Sequence, residues 1–357
     1  MSTERVALPG LVDPHVHLRE PGATQKEDFE TGSMAAIAGG FTTVFDMPNN
    51  PEPTVSPDAL KKKITLTENR IYCDIGFHFG ATASGTEYFE KVKDQVFGLK
   101  VYMNHTTGTL LMEDSNELQS VFSNWPKEKP IIVHAEGQTL ETAINLTRLS
   151  ERRLHVAHLA TGEDLEMVRR AKEEGQPVTC EVTPHHLFLT QVDVDELGPF
   201  GIMKPSLKTE RDRLALWKGL DMGVIDMIAT DHAPHTKEEK STKKPPFGVP
   251  GLETSLPLML TAVAEGKLTL DRLVELTSSN PRRIFYLSME SETYTEVDLK
   301  ESYLISSSNL KTKCGWTPFD GRRVTGKVVK VVLRGETVFD GENIIGLPNG
   351  KVVYSAE

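Results

Sequence analysis

The chain has 357 residues, 38% of them hydrophobic and 25% charged, with a formal net charge of −11. This is an ordinary globular composition, long enough to bury a large core and to form an α/β barrel of roughly 250 residues with a smaller unit beside it. The acidic balance disfavours a nucleic-acid binder, which presents a basic face, but a locally cationic site can still take an anionic small molecule.

No apolar run approaches the roughly 18 residues of a membrane span. The three cysteines, Cys73, Cys180 and Cys314, are odd in number and far apart, which argues against a disulfide framework. The first residues lack a basic-then-apolar leader, so the expected setting is the reducing cytoplasm.

Apolar runs alternate with helical patterns. Strands are predicted at 7–16, 41–46, 73–80, 96–102, 130–135, 154–159, 177–182 and 224–230. Each run is short, rich in β-branched or aromatic residues, and bounded by Gly, Pro or polar residues. Helices are predicted at 27–38, 56–69, 137–149, 162–174 and 209–221. In 162–174 the acids lead and the bases trail, as the helix dipole favours, and Gly175 stops the helix.

Strands alternating with helices imply a parallel sheet, and eight of them suit a closed (β/α)8 barrel. An open doubly wound sheet usually carries a Gly-rich phosphate loop after its first strand, and none is present. After residue 253 come helices near 253–264 and 268–287, then short strands such as 326–335, with turns at Asp320-Gly321 and Asp340-Gly341. The expected organisation is a barrel over 1–289 and a small, partly β appendage over 290–357.

Chemistry in such a barrel gathers at the C-terminal ends of its strands. There the sequence places His15 and His17, Lys100, His134, His158, Glu181 and Asp231. Taken singly, each has an ordinary explanation. A lone histidine ending an apolar run is commonly a hydrogen-bonded core residue, and Asp231 in "ATDHAPH" suits a turn. Lys100, inside "VFGLKVY", is costly to bury unless paired or neutral.

Taken together, the structural accidents would all have to fall on strand ends. A metal centre accounts for them jointly, and zinc favours imidazole and carboxylate ligands. His15 and His17 are one strand period apart and share a face. By the same parity His155 should face the helices, opposite to His158. His185 and His186 follow the seventh strand and have structural roles, unless one of them lines the site.

The motifs "LPGLVDPHVHLREPG", "FDMPNN", "GLKVYMN", "IIVHAE", "HVAHLA", "TCEVTPHHLFL", "ATDHAPH", "PGLETSLPLML" and "NPRRIF" span nearly the whole chain. Through them the sequence resembles the amidohydrolase superfamily and, within it, the dihydroorotases, especially the dihydroorotase domain of the multifunctional animal pyrimidine-synthesis protein. The resemblance implies reversible cyclisation of N-carbamoyl-aspartate to dihydroorotate.

It also implies two zinc ions. His15, His17 and Asp231 would bind the first, His134 and His158 the second, and a carboxylated Lys100 would bridge them. Asp231 would shuttle the proton. Arg19, Asn49 and His235 would hold the substrate carboxylate, and a mobile loop over 103–109 would bring Thr106 near it. Lys204 stands where relatives carry Arg, which offers a fork that Lys lacks. Thr107 replaces a bulky aromatic. A third zinc near Glu181 depends in some members on a Cys where this chain has Ala157, which argues against that ion. The implied partners are the small-molecule substrate, a second copy in a homodimer, and a larger pyrimidine-synthesis multienzyme, with no nucleic acid or membrane.

Other readings meet specific objections in the sequence. A dihydropyrimidinase or allantoinase acts on a neutral ring and would leave Arg19 unpaired. An inactive scaffold would have lost metal ligands, and all those named are present.

Overall fold

The computed structural model describes residues 4–356. The predicted strand 7–16 is two strands, β1 (Arg5–Pro9) and β2 (Leu11–Val16), in two different sheets. Gly10 makes the break. A Cβ at this position would lie 2.6 Å from Thr42 Oγ1, so only glycine lets the chain pass between the sheets.

Strands β2, β3 (Phe41–Asp46) and β4 (Asp74–Phe77) pair in parallel. A second parallel run contains β5 (Phe79–Gly80), β6 (Leu99–Tyr102), β7 (Ile131–His134), β8 (Leu154–Val156), β9 (Val178–Val182) and β10 (Met227–Ile228). The predicted strand 73–80 is thus interrupted at His78, whose N–H donates to the Asp46 carbonyl at 3.1 Å. A parallel bridge from Val16 to His232 closes the circle, and the His17 N–H donates to the His232 carbonyl at 2.8 Å. The result is an eight-stranded barrel wrapped by helices, including Phe29–Ala38, Gln138–Ser150, Gly162–Glu173 and Glu210–Asp221. A further helix, Ser115–Asn124, was not anticipated.

Both faces of the strands are buried, which explains their near-continuous apolar runs. The lower barrel is plugged by Val12, Phe45, Phe97, Ile132, Met227 and Phe285. Phe45 and Phe97 stack with centroids 3.9 Å apart, and Phe285 meets Phe45 edge-on at 5.5 Å. Gly76 on β4 makes room for this plug, since a Cβ there would lie 2.3 Å from the Phe97 ring. The plug leaves only the opposite, C-terminal mouth for a site.

The appendage is a four-stranded antiparallel sheet in the order β1, β11 (Tyr294–Leu304), β12 (Arg323–Leu333), β13 (Glu336–Phe339). Arg5 pairs with Asp298 and Pro9 with Tyr294, so this sheet includes residues from before the barrel. Further on, Val352 bridges Ile75 on β4 in parallel. No described helix is long and apolar enough to cross a membrane.

Candidate metal and carboxylate site

At the C-terminal mouth, all the residues singled out from the sequence except Glu181 and His235 border one cavity. One corner, built by β2 and the segments just past β2 and β10, gathers groups that could hold a metal. His17 Nε2 lies 3.1 Å from Asp231 Oδ1, and His15 Nε2 lies 3.4 Å from the same oxygen. His15, His17 and Asp231 each offer one atom within 4.8 Å of the others, which suits a single cation.

The opposite ring nitrogens are already engaged. His17 Nδ1 meets Asn49 Oδ1 at 2.8 Å, and His15 Nδ1 meets Glu181. Such outer partners fix which nitrogen is free to ligate.

A second corner lies alongside. His134 Nδ1 and His158 Nε2 approach to 2.8 Å. The His134 Nε2, His158 Nδ1 and Lys100 Nζ atoms are buried without hydrogen-bond partners. Burial holds His17, His134 and His158 well below the ordinary imidazole range, and lowers His15 too. These rings are therefore neutral, the state that binds metal. Burial also lowers the Lys100 ammonium to about 8, against the opposing pull of Glu181 and Asp231. Burial raises Asp231 above the usual carboxylate range.

Arg19, His158 and Asp231 have φ of 64°, 35° and 46°. Non-glycine residues in this left-handed region carry strain and gather where strand ends turn side chains into a site.

Glu181 does not border the cavity. Its carboxylate takes His15 Nδ1, meets His155 Nε2 at 3.0 Å and accepts the His158 N–H at 3.2 Å. Burial alone would raise its pKa, but His15 and His155 outweigh that and hold it well below normal. It is an anionic orienting group beneath the imidazoles. The parity expectation for His155 is corrected here. β8 ends at Val156 and His158 has left-handed backbone, so strand alternation does not connect the two residues. His155 points into the barrel, against Glu181 and Phe285.

The other side of the cavity is cationic. Arg19 Nε donates to the Pro234 carbonyl at 2.9 Å, and its Nη2 lies 3.1 Å from His235 Nε2. The Asn49 side-chain amide donates to the Thr107 carbonyl at 2.9 Å, closing the loop that carries Thr106. Lys204 Nζ sits 5.4 Å from the Phe247 ring centroid. Gly248 runs against His235, where a Cβ would lie 3.3 Å from Nε2 and 2.6 Å from the Ala233 carbonyl.

Several supporting residues escaped the sequence reading. Tyr102 also borders the cavity, and burial holds its phenol well above the normal range. Its parity with Lys100 on β6 is the signal that could have found it. Lys63 is fully buried behind Asn49, bonded to Asp46 at 2.6 Å, the Met47 carbonyl at 2.9 Å and Asn50 at 2.8 Å. Lys240 donates to the Ile202, Pro246 and Gly248 carbonyls at 2.8, 3.0 and 3.1 Å. Trp316, from the appendage, donates its indole N–H to the His235 carbonyl at 2.7 Å. Nothing local in the sequence announces such long-range partners.

The sequence profile of the Amidohydrolase family matches residues 6–293. Multifunctional protein CAD of Squalus acanthias is 47% identical over 348 residues, which are 96% of this chain and 15% of that protein. The chain therefore spans only about a seventh of that relative's length. A dihydroorotase of Pyrococcus furiosus is 36% identical over 97% of this chain and 84% of its own length. Among solved structures, the L-hydantoinase (dihydropyrimidinase) from Arthrobacter aurescens superimposes with a TM-score of 0.92 at 26% identity, over 98% of this chain and 89% of that one.

The chain belongs to the amidohydrolase family. Its identity with relatives over nearly its full length puts it, within that family, among the dihydroorotases.

Proposed function

We propose that this chain interconverts dihydroorotate and N-carbamoyl-aspartate, as a zinc-dependent cyclic amidohydrolase of pyrimidine synthesis. The observation that carries this reading is the juxtaposition of two corners. Neutral imidazoles with Asp231 and an unpartnered Lys100 stand on one side, and Arg19 with Asn49 stands on the other.

The donor set fits metal. His15 Nε2, His17 Nε2 and Asp231 would hold one zinc, and His134 Nδ1 and His158 Nε2 a second. The Lys100 amine suits carboxylation. Its nitrogen bonds to the carbon of CO2 and loses a proton, and the resulting anionic carbamate would help hold the zinc, whose charge would compensate its burial. Zinc bound there lowers the pKa of water into the neutral range and polarises a ring carbonyl. A third zinc at Glu181 is not proposed, because that carboxylate is committed to His15 and His155.

Asp231 faces this corner and serves as the proton carrier. In hydrolysis it takes the proton of the attacking water and delivers it to the leaving ring nitrogen. In cyclisation the same transfers run backward. Arg19 offers a planar fork for the substrate carboxylate, with Asn49 and His235 beside it. The Asn49 amide gives one N–H to the Thr107 carbonyl and keeps the second for substrate, which ties the loop bearing Thr106 to the substrate side of the cavity. Lys204 adds positive charge at the opposite wall.

A neutral-ring substrate, as in the hydantoinase named above, is disfavoured because it leaves Arg19 without a counter-charge. A homodimer, a cytoplasmic setting and a place within a larger multienzyme are proposed from the likeness to the multifunctional relative.

The test is turnover of dihydroorotate and carbamoyl-aspartate by the purified chain, with zinc per chain measured in the same sample. Turnover in both directions with about two zinc ions per chain supports the reading. Full metal with hydrolysis only of neutral rings overturns it.

A further inference from the structure

His235 is completely buried, and both ring nitrogens are engaged. Its Nδ1 lies 3.1 Å from Lys26 Nζ. Its Nε2 lies 2.8 Å from the Phe247 carbonyl and 3.1 Å from Arg19 Nη2. An ammonium can only donate, so Lys26 requires a lone pair at Nδ1. A carbonyl can only accept, so Phe247 requires a proton at Nε2. Lys26 and Phe247, on opposite edges of the ring, select the same tautomer, whereas the Arg19 guanidinium, also only a donor, favours a lone pair at Nε2, so the ammonium at Nδ1 tips the balance.

In that tautomer the Nε2–H, held by the Phe247 carbonyl, stands 3.1 Å from the Arg19 Nη2 donor, two donors that converge on one place. A carboxylate oxygen seated there accepts from Arg19 and shares the Nε2–H with the Phe247 carbonyl. The other tautomer would present a lone pair to the same oxygen and repel it.

What holds the unwanted form in check is also visible. Glu239 Oε2 lies 3.4 Å from Lys26 Nζ and 3.6 Å from His235 Nδ1. Glu239 is fixed by a reciprocal cap with Thr236, whose N–H donates to Oε2 at 3.2 Å. Without the ammonium between them, this carboxylate would draw a proton onto Nδ1.

We propose that Lys26 is a positioning residue for carboxylate recognition, holding His235 as the Nε2–H donor. The inference rests on the function proposed above. Lys26 is accessible to substitution: its side chain is 17% exposed and borders a second cavity shared with Arg19 and Asn49.

The test compares the zinc-loaded wild type with Lys26→Met and Lys26→Arg. Imidazole tautomers are read by ¹⁵N–¹H correlation, with His235→Asn used only for assignment. Kinetics are measured with carbamoyl-aspartate. The wild type should show His235 protonated at Nε2, and Lys26→Met should move that proton to Nδ1. KM should then rise about tenfold while kcat stays within about threefold. Lys26→Arg should restore both readouts. An unchanged tautomer in Lys26→Met overturns the inference, as does an unchanged KM. The spectrum does not depend on turnover. A chain that switches tautomer yet processes neither compound fails the proposed function and upholds the hold of Lys26 on His235.

Discussion

Glu181 and His15 are joined by a hydrogen bond that occupies the imidazole Nδ1 and turns Nε2 toward Asp231. The carboxylate lies below the cavity, so its influence on a metal passes through the ring. Glu181→Gln keeps the shape but weakens this hold. Zinc affinity should fall about tenfold or more, measured by competition with a chelator, while the stoichiometry at saturating zinc stays unchanged. Loss of one zinc per chain at saturation would make Glu181 a ligand instead.

Among the described residues, Asp231 is the only carboxylate bordering the cavity. Asp231→Ala should remove nearly all turnover while the circular-dichroism spectrum stays native. Residual activity above about one-tenth of wild type would exclude it as the proton carrier.

The Lys100 amine is lowered to about 8 by burial. Below that pH the ammonium dominates and has no lone pair for CO2. Above it the neutral amine prevails. Reactivation of metal-stripped protein by zinc and bicarbonate should therefore accelerate as pH rises through about 8. A rate that stays flat across that range would contradict carboxylation at this nitrogen. Lys100→Ala should retain less than the full zinc complement even with bicarbonate added.

Lys63 and Asp46 form a fully buried ion pair behind the Asn49 loop. Burial lowers the first pKa and raises the second, each opposed by the partner's charge. Lys63→Met leaves Asp46 without its counter-charge and should cost about 3–5 kcal/mol of unfolding free energy, read by urea titration. Adding Asp46→Asn should recover part of the loss. Equal stability of wild type and the single variant would refute this account.

The barrel was legible because parallel strands buried on both faces are written as apolar runs, and because His15 on β2 and His17 just past its end lie two residues apart. Local pattern does not say which sheet a run joins, so the division at Gly10 was missed. The polar alternation of β11 was likewise not read as one long strand. The reading of His155 failed for a related reason: alternation holds only while the backbone stays extended, and it ends before His158. Glu181 was recognised as unusual, but its actual role depends on which side of the imidazoles it approaches. Lys63 and Lys240 look like ordinary helical lysines until the carbonyls they reach are known.

The indole of Trp316 supports the backbone of His235 from the appendage. Under the proposed function, the wall that would read the substrate is thus anchored from outside the barrel that carries His15, His17 and Asp231. Substrate preference and metal chemistry can therefore drift separately. If the proposed function holds, exchanging the appendage between relatives would retune which carboxylate is accepted while the residues proposed to hold zinc stay in place.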